Sequence, residues 1–430
     1  MVTQRRSTSM PGPENISRSV LHNGMIVLVR ENFSSPAVLI TGYMPGGSIA
    51  DTDERAGLAA FAATLLTRGT KRRSFEEINE TVEGMGASMG VSAGRHMVSF
   101  QTKSLAEDLE RVLDVLVDSL RRPTFPAEQL EKVRGQWLTD LQERDHDTRR
   151  MASLTFRQLI YPGHPYGRSS SGYHETVAAI SREDVTGFYR HLYAPQKGVV
   201  AVVGAVKADT ALRLLDNAMS DWTGDGSAAE MAQPPTPRLE QVLRRDVAMV
   251  GKTQSDIVLG WPGLARGAPE FYSGLLANTI LGRFGMYGRL GAKVREEQGL
   301  AYYSLSSLEA GVWPGPWYVF AGVNPDNVER AVESILEEVT RMGAELVPDR
   351  ELSDSKAFLA GSLPLRLETN EGQAGAILEM ERYGLGLDHL QRYPGLIQGV
   401  TAAEVQAVSA RYLDPGAYGL AVAGPPPKDS

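Results

Sequence analysis

The sequence predicts an α+β protein made of two homologous, duplicated domains, each with helices packed on one face of a mainly antiparallel sheet. Three observations predict it: an amphipathic segment that recurs at a fixed offset, strand-like runs that stand side by side within each half, and long helical patterns that separate them. "LAEDLERVLDVLVDSL" places Leu109, Val112, Leu113, Leu116, Val117 and Leu120 on one helical face. "PDNVERAVESILEEVT" places Val328, Ala331, Val332, Ile335, Leu336 and Val339 at the same spacing, 219 positions later. Strand-like runs precede both, "HMVSFQT" from His96 and "WYVFAGV" from Trp317. The halves also end alike, in "YAPQKGVVAVVG" from Tyr193 and "YLDPGAYGLAVAG" from Tyr412, and begin alike, in "AVLITG" at Ala37 and "DIVLGW" at Asp256. One shared stripe means little between two helices; several features at one offset indicate duplication.

In order, the N-terminal half reads as strand, strand, helix, helix, a strand pair, helix, a long helical stretch from about Ala127 to Tyr161, helix, and the strand "GVVAVVG". Adjacent strands joined by a short turn pair antiparallel. The predicted domains span residues 15–224 and 242–425. Between them "DGSAAEMAQPPTPRLEQ", residues 225–241, is poor in apolar residues and rich in proline, and reads as a linker.

Composition excludes several functions. A chain of 430 residues with net charge −8 and scattered Lys and Arg lacks the concentrated basic surface that a general nucleic-acid binder needs. With no cysteine there is no disulfide, thiolate zinc site or thiol nucleophile. No apolar run reaches the roughly 18 residues of a membrane span, and the polar start "MVTQRRSTSMPGPENISRS" does not read as a signal peptide. The expectation is a soluble protein, cytoplasmic or periplasmic, with the compartment unknown.

The helix "GLAAFAATLLTRGT", residues 57–70, carries Leu58, Phe61, Leu65 and Leu66 on an apolar stripe, yet Ala60, Ala63 and Thr64 beside it carry no group suited to catalysis. Its frame resembles the inverted zinc-peptidase helix of the pitrilysin and mitochondrial-processing-peptidase family (M16), roughly G-L-A-H-F-x-E-H-x-x-x-x-G-T. There two histidines one turn apart hold zinc and a glutamate acts as base toward the bound water. Gly57, Leu58, Ala59, Phe61, Gly69 and Thr70 match that frame; Ala60, Ala63 and Thr64 occupy the functional positions. The resemblance also implies a distal carboxylate ligand, and the matching residue is Asp140 in "WLTDLQER". These four are vacated positions, not ligands, and no metal or other cofactor is expected in this chain. The seven histidines supply no HxxEH or HExxH, and His146 in "ERDHD" reads as a solvated helix face.

A second segment, "GRLGAKVREEQGLAYYSLSS", resembles the family's C-terminal signature, in which an Arg and a Tyr seven positions apart reach a zinc site; here they are Arg295 and Tyr302. Spacing alone allows a surface arginine and a packed strand tyrosine. Local signals place a helix from about Gly288, a C-cap at Gly299 and a strand from about Ala301. In the family the tyrosine stabilises the developing oxyanion and the arginine holds substrate backbone. "LGRFGMYGRLG" repeats glycine every third position without the Lys-Ser or Lys-Thr of a phosphate loop, so it reads as flexible or closely packed chain. "GASMGVSAG" occupies the family's substrate-pairing edge strand, which makes Ser88, Met89, Gly90 and Val91 candidate substrate-binding residues.

The resemblance runs from about Ser17 to Pro425 and implies the M16 (LuxS-like) metallopeptidase fold. A chain without zinc-site residues that keeps the Arg and Tyr pair is similar to the complementary subunit of a split heterodimeric peptidase. It implies an HxxEH-bearing partner subunit that carries the zinc, and peptide or unfolded-polypeptide substrates. The competing expectation is a catalytically silent scaffold or peptide-binding subunit of a larger assembly.

Overall fold

A computed structural model describes residues 10–224 and 231–426. The chain forms two compact units whose sequences interleave. The first contains the chain up to Leu138 with Ser170–Met231 and Ser362–Tyr393; the second contains Thr139–Ser169, Ala232–Gly361 and the chain from Pro394. Of the predicted linker, 225–230 lie outside the described residues, and 231–241 form neither helix nor strand.

The sheet of the first unit has strands β1 (Ser17–Val20), β2 (Ile26–Glu31), β3 (Ala37–Pro45), β4 (Ser88–Ala93), β5 (Met97–Leu105) and β6 (Val199–Gly204), in the order β1-β2-β6-β3-β5-β4. Only β2 and β6 pair in parallel. The run "VVAVVG" is buried at every residue of β6, as expected of an apolar strand with a parallel partner at the sheet's centre. Helix Leu109–Arg121 packs on β5, helix Ala208–Met219 on β2, and helix Asn370–Arg382 on β6 and β3. The predicted stripe from Leu109 to Leu120 is buried throughout.

The second sheet repeats the plan with β7 (Leu243–Ala248), β8 (Ser255–Pro262), β9 (Ala301–Leu308), β10 (Pro316–Val323) and β11 (Gly419–Gly424), in the order β7-β11-β8-β10-β9. Again one pair, β7 with β11, is parallel, and β11 is buried along its whole length. Helix Val328–Ala344 packs on β10 and β8, and helix Thr148–Ile160 packs on β11, β8 and β7. Each compact unit therefore takes a covering helix from the opposite half of the sequence.

The element order differs from the sequence reading in several details: two helices, His174–Ala179 and Arg182–Leu192, stand where one is expected before β6, and helix Ala208–Met219 follows it. A short strand, β1, precedes the first predicted pair. The long helical stretch is broken into helices Ala127–Asp145 and Thr148–Ile160. The break lies at Asp147, which has extended backbone and whose carboxylate accepts the Arg150 N–H at 2.8 Å, an N-cap that starts the second helix afresh. His146 lies exposed in that turn.

The matched frame around helix Leu58–Leu65 is explained by packing. Buried Asp51 accepts the N–H groups of Gly57 at 3.0 Å and Ala59 at 2.9 Å, placing a carboxylate at the helix N-terminus. Gly57 has φ +95, and a Cβ there would lie 2.9 Å from the Ser171 carbonyl oxygen. Beyond the helix, Thr70 donates to the fully buried Asp118 at 2.6 Å, and Arg73 pairs with the same carboxylate at 3.0 Å. Phe61 meets Trp137 edge-on, with ring centroids 6.0 Å apart.

Removing Asp118 leaves the Arg73 guanidinium and the Thr70 hydroxyl without their buried acceptor. Asp118→Ala is expected to lower unfolding stability by about 3 kcal/mol in urea denaturation. Asp114→Asn, whose carboxylate pairs with Arg72 and Arg73 at the surface, should cost less than about 1 kcal/mol.

Candidate functional site

Of the vacated positions, Ala60 and Thr64 are half-buried and Ala63 is fully buried on helix Leu58–Leu65. The Thr64 hydroxyl donates to the Ala60 carbonyl at 3.0 Å, so it is satisfied within its own helix. Methyl groups and one internally bonded hydroxyl do not make a zinc site. Asp140, in the second compact unit, is an exposed residue that pairs with Arg150 through both oxygens, at 3.1 and 3.4 Å. Among the described residues no group of three or more His, Asp or Glu side chains is placed to hold a metal ion. The family's zinc therefore does not fit the residues present.

Helix Leu58–Leu65 packs against β4 and against helix Arg182–Leu192. Strand β4 is the edge of its sheet, paired only with β5 among the described strands. Ser88, Met89, Gly90 and Val91 stand opposite Lys103, Thr102, Gln101 and Phe100. Met89 leans on the buried cluster of Ile78, Val82 and Val115, which anchors the strand from beneath; nothing lies within 4 Å of where a Gly90 side chain would begin. The free backbone edge has the form that accepts an added strand.

His96, in the turn that joins β4 to β5, is held neutral. Burial, with help from the nearby guanidiniums of Arg382 and Arg95, pushes its pKa down to about 4. An unfolded histidine protonates near 6.5, so between these values the unfolded chain binds more protons and stability falls as pH drops. His96→Gln is expected to reduce the loss of urea midpoint between pH 7 and pH 4.5; an unchanged loss in the variant would contradict this assignment.

The second unit brings Arg295 and Tyr302 together. The backbone from Gly291 to Glu297 winds as a π-helix, a form with one residue more per hydrogen-bonded turn than the α-helix. It ends at Gly299, which adopts the left-handed conformation (φ +60) and lets its N–H reach the Arg295 carbonyl at 3.1 Å. Strand β9 then starts at Ala301. The Arg295 guanidinium lies 6.0 Å from the Tyr302 ring centroid, and Tyr302 is 79% exposed. The tyrosine is thus presented outward, not packed into the sheet. The glycine repeat just upstream is a close-packing device: a Cβ on Gly282 would lie 2.6 Å from the Ser306 backbone nitrogen, and one on Gly291 would collide with the Gly285 carbonyl.

Sequence reasoning missed the groups behind Tyr302. Tyr303 donates its hydroxyl to the buried carboxylate of Asp256 on β8, which also accepts the Thr148 hydroxyl at 2.5 Å. Burial, then the hydrogen bond to Asp256 and its charge, pushes the Tyr303 phenol well above its usual range, so it remains a donor. The prior signal was an acidic residue at the head of the apolar run "DIVLGW".

A duplicated α+β chain that keeps the frame of an inverted zinc-peptidase helix without its ligands has the two-domain fold of that class of metallopeptidases. The chain belongs to peptidase family M16: residues 26–171 match "Insulinase (Peptidase family M16)" and residues 179–359 match "Peptidase M16 inactive domain". It is similar to the Bacillus subtilis "Uncharacterized zinc protease YmxG", 24% identical over 415 residues, covering 95% of this chain and 98% of that one. It is 27% identical over 387 residues to the Helicobacter pylori "Non-peptidase homolog YmxG", covering 88% and 87%. It shares the fold of a solved Pseudomonas fluorescens "peptidase M16 inactive domain", with TM-score 0.89 and 24% identity, covering 97% and 99%. The match to the inactive domain and the "Non-peptidase homolog" name of a relative support a catalytically inactive member of the family. No described helix is long and apolar enough to cross a membrane.

Proposed function

We propose that this chain is the non-catalytic, complementary subunit of a heterodimeric zinc peptidase that degrades or processes peptides. The partner subunit carries HxxEH and the zinc; this chain contributes Arg295 and Tyr302 in trans. One observation carries the reading: in a chain with Ala60, Ala63 and Thr64 at the positions the resemblance assigns to the zinc site, the Arg295 guanidinium still lies 6.0 Å from the Tyr302 ring centroid, with Tyr302 largely exposed. An outward phenol beside a guanidinium provides a hydroxyl donor for a developing oxyanion and a cation for substrate backbone carbonyls. A subunit that served only to hold others together has no chemical use for that pair. The backbone edge of β4, with Ser88, Met89, Gly90 and Val91, supplies an extended surface for a peptide.

The test is to purify the chain with its HxxEH-bearing partner and assay peptide cleavage. Alone, the chain is expected to hydrolyse no peptide even with added zinc, and turnover by the isolated chain would overturn the assignment. In the assembled complex Tyr302→Phe should lower the rate by about 10²-fold while assembly is unchanged, because a transition-state donor is lost. An unaltered rate would instead favour the competing reading, a silent scaffold or peptide-binding subunit, to which the "Non-peptidase homolog" name of the Helicobacter pylori relative lends support.

A further inference from the structure

Tyr302 occupies an irregular point of β9. Tyr303 stands opposite Gly322 of β10 and Ala301 stands opposite Val323, so Tyr302 is the extra residue of a β-bulge, with no partner across the ladder. Bulges re-aim side chains, and an unpaired residue on an edge strand has few constraints of its own. What constrains the backbone immediately after it is Tyr303.

Three residues on successive strands form one row: Tyr303 on β9 is opposite Gly322 on β10, and Gly322 is opposite Asp256 on β8. The two outer strands are about 10 Å apart, twice the spacing of neighbouring strands. The Tyr303 side chain crosses that distance by lying over Gly322, where a Cβ would sit 2.7 Å from Tyr303 Cε1. Its hydroxyl ends on the Asp256 carboxylate, which is 3% exposed and receives Thr148 from the start of helix Thr148–Ile160. Arg149, next in that helix, sets its guanidinium 5.3 Å from the Tyr303 ring centroid and 4.8 Å from that of Phe320. The strand edge is thereby tied, through one side chain, to a buried acid two strands away.

We propose that the Tyr303–Gly322–Asp256 row is a positioning device that fixes the bulge and so the direction in which Tyr302 is presented. This deepens the proposed function and rests on it for the use made of Tyr302. Tyr303 and Asp256 touch no substrate in this scheme; they act through the backbone of the bulge.

Two measurements test it, and they fail separately. In the full-length chain with 3-fluorotyrosine placed at position 302 alone, Tyr303→Phe is expected to broaden or split the fluorine resonance of residue 302. Asp256→Asn, which keeps an acceptor oxygen, should change it less. A resonance unmoved by Tyr303→Phe, with only the denaturation midpoint lowered, would show that the row is merely structural and overturn the proposal. In the assembled peptidase, Tyr303→Phe should lower kcat by about 10-fold with KM unchanged, and should add no loss when Tyr302 is already Phe. The same fold-loss in both backgrounds would also overturn the proposal. If Tyr302→Phe does not alter the rate, the functional reading fails, and the fluorine measurement still decides whether the row positions Tyr302.

Discussion

A strand that is apolar along its whole length must be covered on both faces, and this constraint organises both compact units. β6 and β11 are such strands, each next to its sheet's parallel partner. Helix Asn370–Arg382 contributes cover for β6 and helix Thr148–Ile160 for β11. Each of these helices comes from the other half of the sequence. The duplication is therefore more than a pair of similar domains in tandem: the same exchange is made twice, once in each direction. The fully covered central strands make a firm support for the edge strands β4 and β9, where the candidate binding and donor groups stand.

Around helix Leu58–Leu65, chemistry and architecture separate cleanly. Gly57 gives the backbone room against Ser171, Thr70 binds the buried Asp118, and Phe61 packs on Trp137. These contacts fix the helix by packing and hydrogen bonding alone. Ala60, Ala63 and Thr64 take no part in that packing beyond filling space, and the Thr64 hydroxyl is satisfied by its own helix. None of the three leaves a buried polar side-chain atom unpaired in this helix. The Asp140 carboxylate is likewise engaged, by Arg150 at the surface.

Much of this was legible in the sequence because it depends on local pattern. Helical stripes such as Leu109 to Leu120, the Gly299 cap before β9 and the repeat offset all reflect residue type at fixed spacing. The motif frame around Ala60, Ala63 and Thr64 was readable because such a frame is defined by its neighbours. The rest depends on long-range placement. Periodicity shows that helix Thr148–Ile160 has an apolar side but not which sheet it covers, and nothing local distinguishes Asp147, the helix break, from other aspartates. The row from Tyr303 over Gly322 to Asp256 joins residues 47 and 19 positions from Tyr303, and a β-bulge leaves no mark in hydrophobic alternation.

The exchange of covering helices bears on how the chain comes off the ribosome. The first unit draws on residues up to Tyr393, so its sheet is synthesised long before helix Asn370–Arg382 exists. Until then β6 and β3 have an uncovered apolar face, while helix Thr148–Ile160 has emerged ahead of every strand of the sheet it covers. Domains of most proteins finish folding one after another as they are made; here neither can finish until nearly the whole chain has been translated. Each unit thus gains its last covering helices and strands only late in synthesis.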